Sequence, residues 1–120
     1  MKIEKTFEAT ISLGFREGYS KFVHTLEEVE QICHQFCDEV GLCVTITPTK
    51  FVYTRNPSIP DGWEDGCFIG LIQYPRFPNS EENILNNALE LGKILMEKFE
   101  QTKVSVICSD YTYMLEPDDL

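Results

Sequence analysis

Along the first part of the chain, apolar and polar positions alternate. Phe7, Ala9, Ile11, Leu13 and Phe15 are apolar between Glu8, Thr10, Ser12 and Arg16, the pattern of a half-buried β-strand. After a loop punctuated by Gly14 and Gly18 the period changes. Thr25 and Glu28 have the T-x-x-E spacing in which each side chain satisfies an amide at a helix start. Leu26, Val29, Cys33, Phe36 and Val40 then recur at steps of three and four, widened by Ile32 and Cys37, so a helix with one buried stripe is predicted. Gly41 supplies the left-handed residue that closes it.

Leu42, Val44 and Ile46 alternate with Cys43, Thr45 and Thr47, and Phe51-Val52-Tyr53 resumes the strand after Pro48. Because proline cannot donate to a central ladder, this strand belongs at a sheet edge or carries a bulge. Residues 54–66, rich in proline and glycine, read as a long hairpin loop. The nearly continuous apolar run from Cys67 to Tyr74 reads as a central strand, which Pro75 and Pro78 end. Ser80 is a suitable N-cap for a helix through about Phe99, with Ile84, Ala88, Leu91, Leu95 and Phe99 on its buried stripe. A last strand follows over 103–109, the TYML segment extends it less regularly, and the EPDDL end reads as a frayed acidic tail.

The order β-α-β-β-α-β predicts one α+β domain over residues 1–120 with a ferredoxin-like fold: a four-stranded antiparallel sheet, order 4-1-3-2, with two helices on one face. Two helices cover only one side, yet the third strand is apolar on both. Phe68, Ile72 and Tyr74, joined by Ile107, are therefore candidate interface residues on an uncovered face, and a homo-oligomer is expected. The alternative is a fold-back of loop 54–66 or the C-terminal segment over that face.

Charge narrows the partners. Twenty Asp and Glu against ten Lys and Arg leave a net charge of -10 over 120 residues, which disfavours nucleic acid and anionic membranes. No stretch approaches the roughly 20 apolar residues of a membrane span, and the start of the chain lacks the apolar run of an export signal. Five cysteines, Cys33, Cys37, Cys43, Cys67 and Cys108, sit in apolar segments like reduced, buried thiols. A cytoplasmic location is expected.

The predicted topology gathers loops 14–24 and 54–66 at one end of the sheet, with Arg16, Lys21, His24, Arg55, Asp61, Trp63, Glu64 and Asp65. Arg16, Lys21 and Arg55 suit a small anionic ligand, Trp63 a ring to stack on, and His24 a proton to exchange near neutral pH. The alternative is a solvated loop whose carboxylates pair with those cations. Cys33 and Cys37 share a helix face, but the paired knuckles of a zinc site are absent, so no metal and no cofactor is expected. Carboxylate pairs such as Glu27-Glu28 and Glu81-Glu82 fall in first helical turns, where they complement the dipole. No phosphate-cradling glycine loop or dinucleotide fingerprint occurs.

The runs GLCVTITPTKFVYT, GCFIGLIQYPRFPNSEE and LGKILMEKFEQTKVSVI resemble a group of small proteins of bacteriophages, plasmids and bacterial genomes to which no activity is assigned. The resemblance implies a cytoplasmic accessory protein related to mobile elements and transfers no catalytic residue. More distantly, the topology resembles that of trimeric CutA and PII-type signalling proteins, which bind small ligands between subunits. The acylphosphatase phosphate loop is missing. The function expected from the sequence is a cytoplasmic, homo-oligomeric binding or interaction protein, with a protein partner or small anionic ligand and without catalysis of its own. The alternative is a small-molecule enzyme or ligand sensor with its site at the 14–24 and 54–66 loops, between subunits. A lesser reading is an inhibitor that imitates nucleic acid.

Overall fold

In a computed structural model describing residues 1–17, 22–55, 57, 61–73 and 79–120, the elements run β1 (Glu8–Gly14), α1 (Leu26–Val40), β2 (Thr45–Val52), β3 (Trp63–Ile72), α2 (Glu81–Lys98), β4 (Val104–Cys108) and β5 (Thr112–Leu115). A 3-10 turn, Pro117–Asp119, follows. The strands form one antiparallel sheet in the order β2-β3-β1-β4-β5.

Strand alternation decides which residues meet the helices. Ala9, Ile11 and Leu13 of β1, Cys67, Ile69 and Leu71 of β3, and Val104 and Val106 of β4 are buried in one cluster. The stripes of α1 (Val29, Cys33, Phe36) and α2 (Ile84, Ala88, Leu91, Leu95) complete it. Both helices therefore pack on one sheet face, and the hydrophobic effect that holds them there acts on every second residue of each strand. The helix ends follow their local chemistry. Thr25 Oγ1 accepts from the Glu28 N–H at 3.3 Å and Ser80 Oγ from the Asn83 N–H at 3.0 Å. Gly41, at φ 70°, donates its N–H to the Cys37 carbonyl at 2.9 Å.

The α+β class, the antiparallel sheet and the two helices agree with the expectation and are roughly compatible with a ferredoxin-like arrangement. The strand count and order are corrected. There are five strands, because the chain reverses at Ser109–Asp110 and residues 112–115 pair back on β4 instead of extending it. The physical reason is Leu115, which must reach the core opposite Val104. The acidic tail is likewise ordered: Glu116 caps the 3-10 turn through the Asp119 amide, and the Asp119 carboxylate accepts from the Glu116 N–H at 2.8 Å.

The hairpin loop is shorter than the expected 54–66. Trp63 to Gly66 already belong to β3, paired with Val52 to Thr49 of β2. Pro48 sits opposite Cys67 within an unbroken edge strand, which tolerates its missing N–H. Phe68 and Ile72 lie on the face away from the helices, and Ile107 is 43% exposed there. Tyr74 is outside the described residues. Among the described residues no helix is long and apolar enough to cross a membrane.

Candidate active site

The open sheet face carries the other half of the alternation: Thr10, Ser12 and Gly14 of β1, Gly66 and Phe68 of β3, and Phe51 of β2. Its two glycines are steric necessities. A Cβ on Gly66 would stand 2.4 Å from the Leu13 carbonyl oxygen and 2.4 Å from the Phe51 ring. One on Gly14 would meet the Glu64 carboxylate at 3.0 Å. The missing side chains let Phe51 and Glu64 lie flat across the sheet.

A cleft of about 260 Å3 results where β1, β2 and β3 end near the α2–β4 connection. Tyr53 and Glu64 form one wall, Ser12 and Ser105 the floor, and Gln101 and Lys103 the far side. The Arg16 N–H donates to Glu64 Oε2 at 3.4 Å, and the Gln101 side-chain amide donates to the Arg16 carbonyl. Glu64 is thus fixed from the segment just after β1, and the α2–β4 turn is tied to the same residue. Tyr53 Oη is screened from solvent, and among the described residues no partner meets strict hydrogen-bond geometry, the Glu64 carboxylate being close enough to influence the phenol. Burial, and after it the Glu64 charge, push the Tyr53 phenol above its ordinary range, against the opposing influence of Arg16. A carboxylate and a neutral phenol thus stand together at a polar concavity.

The sequence candidates divide among different surroundings. Arg16 lies beside Glu64 and Tyr53. Arg55 and Trp63 line a second cleft of about 460 Å3 with Lys50, Val52 and Asp61, and Tyr53 borders both clefts. Lys50 Nζ sits 3.8 Å over the Trp63 ring while bonded to Asp65 at 3.2 Å. That geometry combines a cation–π contact with an ion pair. Lys21 is outside the described residues.

His24 has a different setting from the one expected. Its ring stacks on Phe99 at 4.2 Å between centroids, Nδ1 bonds Glu28 at 2.6 Å and Nε2 bonds Glu17 at 3.2 Å. With both nitrogens engaged, the imidazole fastens the first loop to α1 and α2. Close by, Glu100 takes the left-handed conformation at φ 48°. A hydrogen bond that the protonated Glu100 carboxyl donates to Glu17, and then the Glu17 charge, hold its carboxyl above the usual range.

Ser12 was missed from the sequence because a strand residue with ordinary alternation looks structural, and Tyr53, Gln101 and Lys103 because residues just past β2 and in the short α2–β4 connection carry no pattern of their own. The available signal was Gly14 and Gly66, glycines where a strand pattern calls for side chains. The cysteines also divide: Cys33 and Cys67 are buried, Cys37 and Cys108 half-buried, and Cys43 exposed, contrary to the expectation for the last. Among the described residues no group of three or more His, Cys, Asp or Glu could hold a metal ion.

Neither protein families nor curated proteins give a match to this chain. Solved structures do. A phage SAM lyase in complex with S-methyl-5′-thioadenosine is similar over 98% of this chain and 98% of its own, at 23% identity and a TM-score of 0.76. A phage SAM lyase in the apo state is similar over 93% of this chain and 90% of its own, at 21% identity and a TM-score of 0.71. At these identities the likeness establishes the fold. It also corrects the expectation of a binding protein without catalysis: both of these solved structures are of a lyase, so the enzyme alternative is the one carried forward.

Proposed function

We propose that this chain is a phage-related lyase that cleaves S-adenosylmethionine and releases S-methyl-5′-thioadenosine, with the Tyr53–Glu64 cleft as its reaction site. The observation that carries the reading is that cleft, with its paired carboxylate and phenol, in a fold shared along almost its whole length with a lyase bound to that nucleoside. The breaking bond joins the sulfonium sulfur to the γ-carbon of the amino-acid chain, and its electron pair stays on sulfur. The substrate's own carboxylate oxygen forms the new bond to that carbon, closing a lactone, so no proton has to be moved.

In this step a cation and an anion neutralise each other, so the transition state is less polar than the ground state and water retards it. What the protein contributes is orientation and exclusion of water. Glu64 suits the substrate's ammonium group, whose charge is unchanged through the step, so that this pairing orients without stabilising the sulfonium that must disappear. Tyr53 presents a neutral phenol to the carboxylate or the ribose.

The same argument supports a homo-oligomer. A single chain leaves the cleft open to solvent, and the apolar Phe68, Ile72 and Ile107 on the same face favour cover by a second copy, which would dry the site. The free thiols agree with a cytoplasmic setting.

Purified protein incubated with S-adenosylmethionine and followed by mass spectrometry should yield methylthioadenosine together with the lactone. An unsaturated amino acid in place of the lactone would mean elimination with a protein base, and binding without product would refute the lyase reading. Glu64→Gln should lower kcat/KM by about 10²-fold or more, with the fold intact.

A further inference from the structure

Away from the Tyr53–Glu64 cleft, a groove of about 420 Å3 lies where the end of α1 meets the approach to β2, with Cys33, Cys37 and Cys43 along its wall beside His34 and Asp38. The three thiols are not equivalent. Cys33 is 2% exposed, and burial pushes its thiol up to about 12, which leaves it protonated and inert. Cys43 is exposed. Cys37 is half-buried, and a bond from the Val44 amide to its sulfur favours the thiolate, against the larger effect of burial.

The turn brings the latter two together. The Cys37 carbonyl accepts from Gly41 at 2.9 Å and from Leu42 at 3.3 Å, so the chain folds back over the last helical turn. The Val44 N–H that reaches the Cys37 sulfur belongs to the peptide unit immediately after Cys43. The same reversal lines one groove with both the Cys37 and Cys43 side chains, and the peptide unit that follows Cys43 bonds the Cys37 sulfur.

We propose that Cys37 and Cys43 are a redox-active dithiol that a low-molecular-weight disulfide of the glutathione type converts to an intramolecular disulfide. The Cys43 thiolate attacks the oxidant, forming a mixed disulfide and releasing one glutathione. The Cys37 thiolate then attacks the Cys43 sulfur and releases the second. The protein loses two protons and two electrons, and the oxidant leaves as two glutathione molecules. In a reducing cytoplasm the pair stays as thiols, and under oxidation the crosslink fastens the end of α1 to the start of β2 around Gly41.

The test is intact-mass analysis and peptide mapping of the folded chain after exposure to glutathione disulfide. The expected product is lighter by two hydrogens, carries a Cys37–Cys43 link, leaves Cys33 and Cys67 alkylatable only after unfolding, and reverts with dithiothreitol. Amide exchange at 41–44 should slow on oxidation. Cys37→Ser should stop at a glutathione adduct on Cys43, and Cys43→Ser, at an exposed position, should gain no disulfide. A wild-type chain that accumulates the Cys43 adduct, links other cysteines or does not react overturns the proposal.

Discussion

The two faces of the sheet follow different rules with the same strands. On the helix side, Ala9, Ile11, Leu13, Ile69, Leu71 and Val106 are completely buried in one cluster with the stripes of α1 and α2. On the other side, the intervening residues are serine, threonine, glycine and a few large apolar groups, and Glu64 and Tyr53 stand among them. The first face is built for packing density. The second gives up packing to make room, and that room is the cleft we propose as the reaction site. The difference teaches that the proposed site uses the side of the fold that contributes less to its stability.

The contrast is broken most strongly from the helix side. Ile11 is flanked by Ile69 and Val106 in the sheet and fully buried, so Ile11→Ala should cost about 2–5 kcal/mol of unfolding free energy. Phe68→Ala on the open side loses an edge-to-face contact with Phe51 at 5.7 Å, and should cost about 1 kcal/mol in the isolated chain. Urea denaturation of the two variants checks both. A much larger loss for Phe68→Ala that grows at low protein concentration would mark this face as a subunit contact.

The glycines sharpen the comparison further. In Gly66→Ala the new Cβ meets the Leu13 backbone, so the β1–β3 pairing must shift, at about 1–3 kcal/mol. In Gly14→Ala it meets only the end of the Glu64 side chain, which can swing away. The second variant should fold normally yet lose activity by about 10²-fold, the cost of misplacing a group by about 1 Å. Equal thermal midpoints for wild type and Gly14→Ala, with unequal kcat/KM for S-adenosylmethionine, is the expected pair of results.

Much of the helix-covered face was legible in the sequence, because burial writes a period into the chain. The Thr25 and Ser80 caps, the Gly41 turn and the buried stripes of α1 and α2 all lie where the pattern puts them. The fifth strand was not legible: TYML is too short for its alternation to stand out, and only the tertiary need to bury Leu115 selects it. The site was legible in part. Arg16 and Glu64 could be placed at one end of the sheet by topology, but Tyr53 enters the cleft through strand register. The surroundings of His24 were not legible because nothing in its neighbours along the chain announces Phe99, which lies 75 residues further on.

The smallest effect concerns the rim of that end of the molecule. Glu17 holds the Glu100 carboxyl above the ordinary carboxylate range, first by accepting its hydrogen bond and then by charge, with His24 acting in the opposite direction. A carboxyl whose pKa is raised on folding binds its proton more tightly in the folded chain. Its contribution is therefore fully present below the unfolded value and is lost as pH rises through the folded one. At neutral pH Glu100 is ionised beside Glu17, and the pair repels. Glu100→Gln keeps the hydrogen-bonding shape without the charge, so it should make the folded chain slightly more stable at pH 7. The gain should shrink as pH falls toward the range where Glu100 is already protonated, and shrink again with added salt, since the group is solvent-exposed. Denaturation midpoints of the two chains across that pH range, at low and high salt, should converge in acid. Midpoints that stay apart by a constant amount would trace the effect to the left-handed backbone at this residue instead of to its charge.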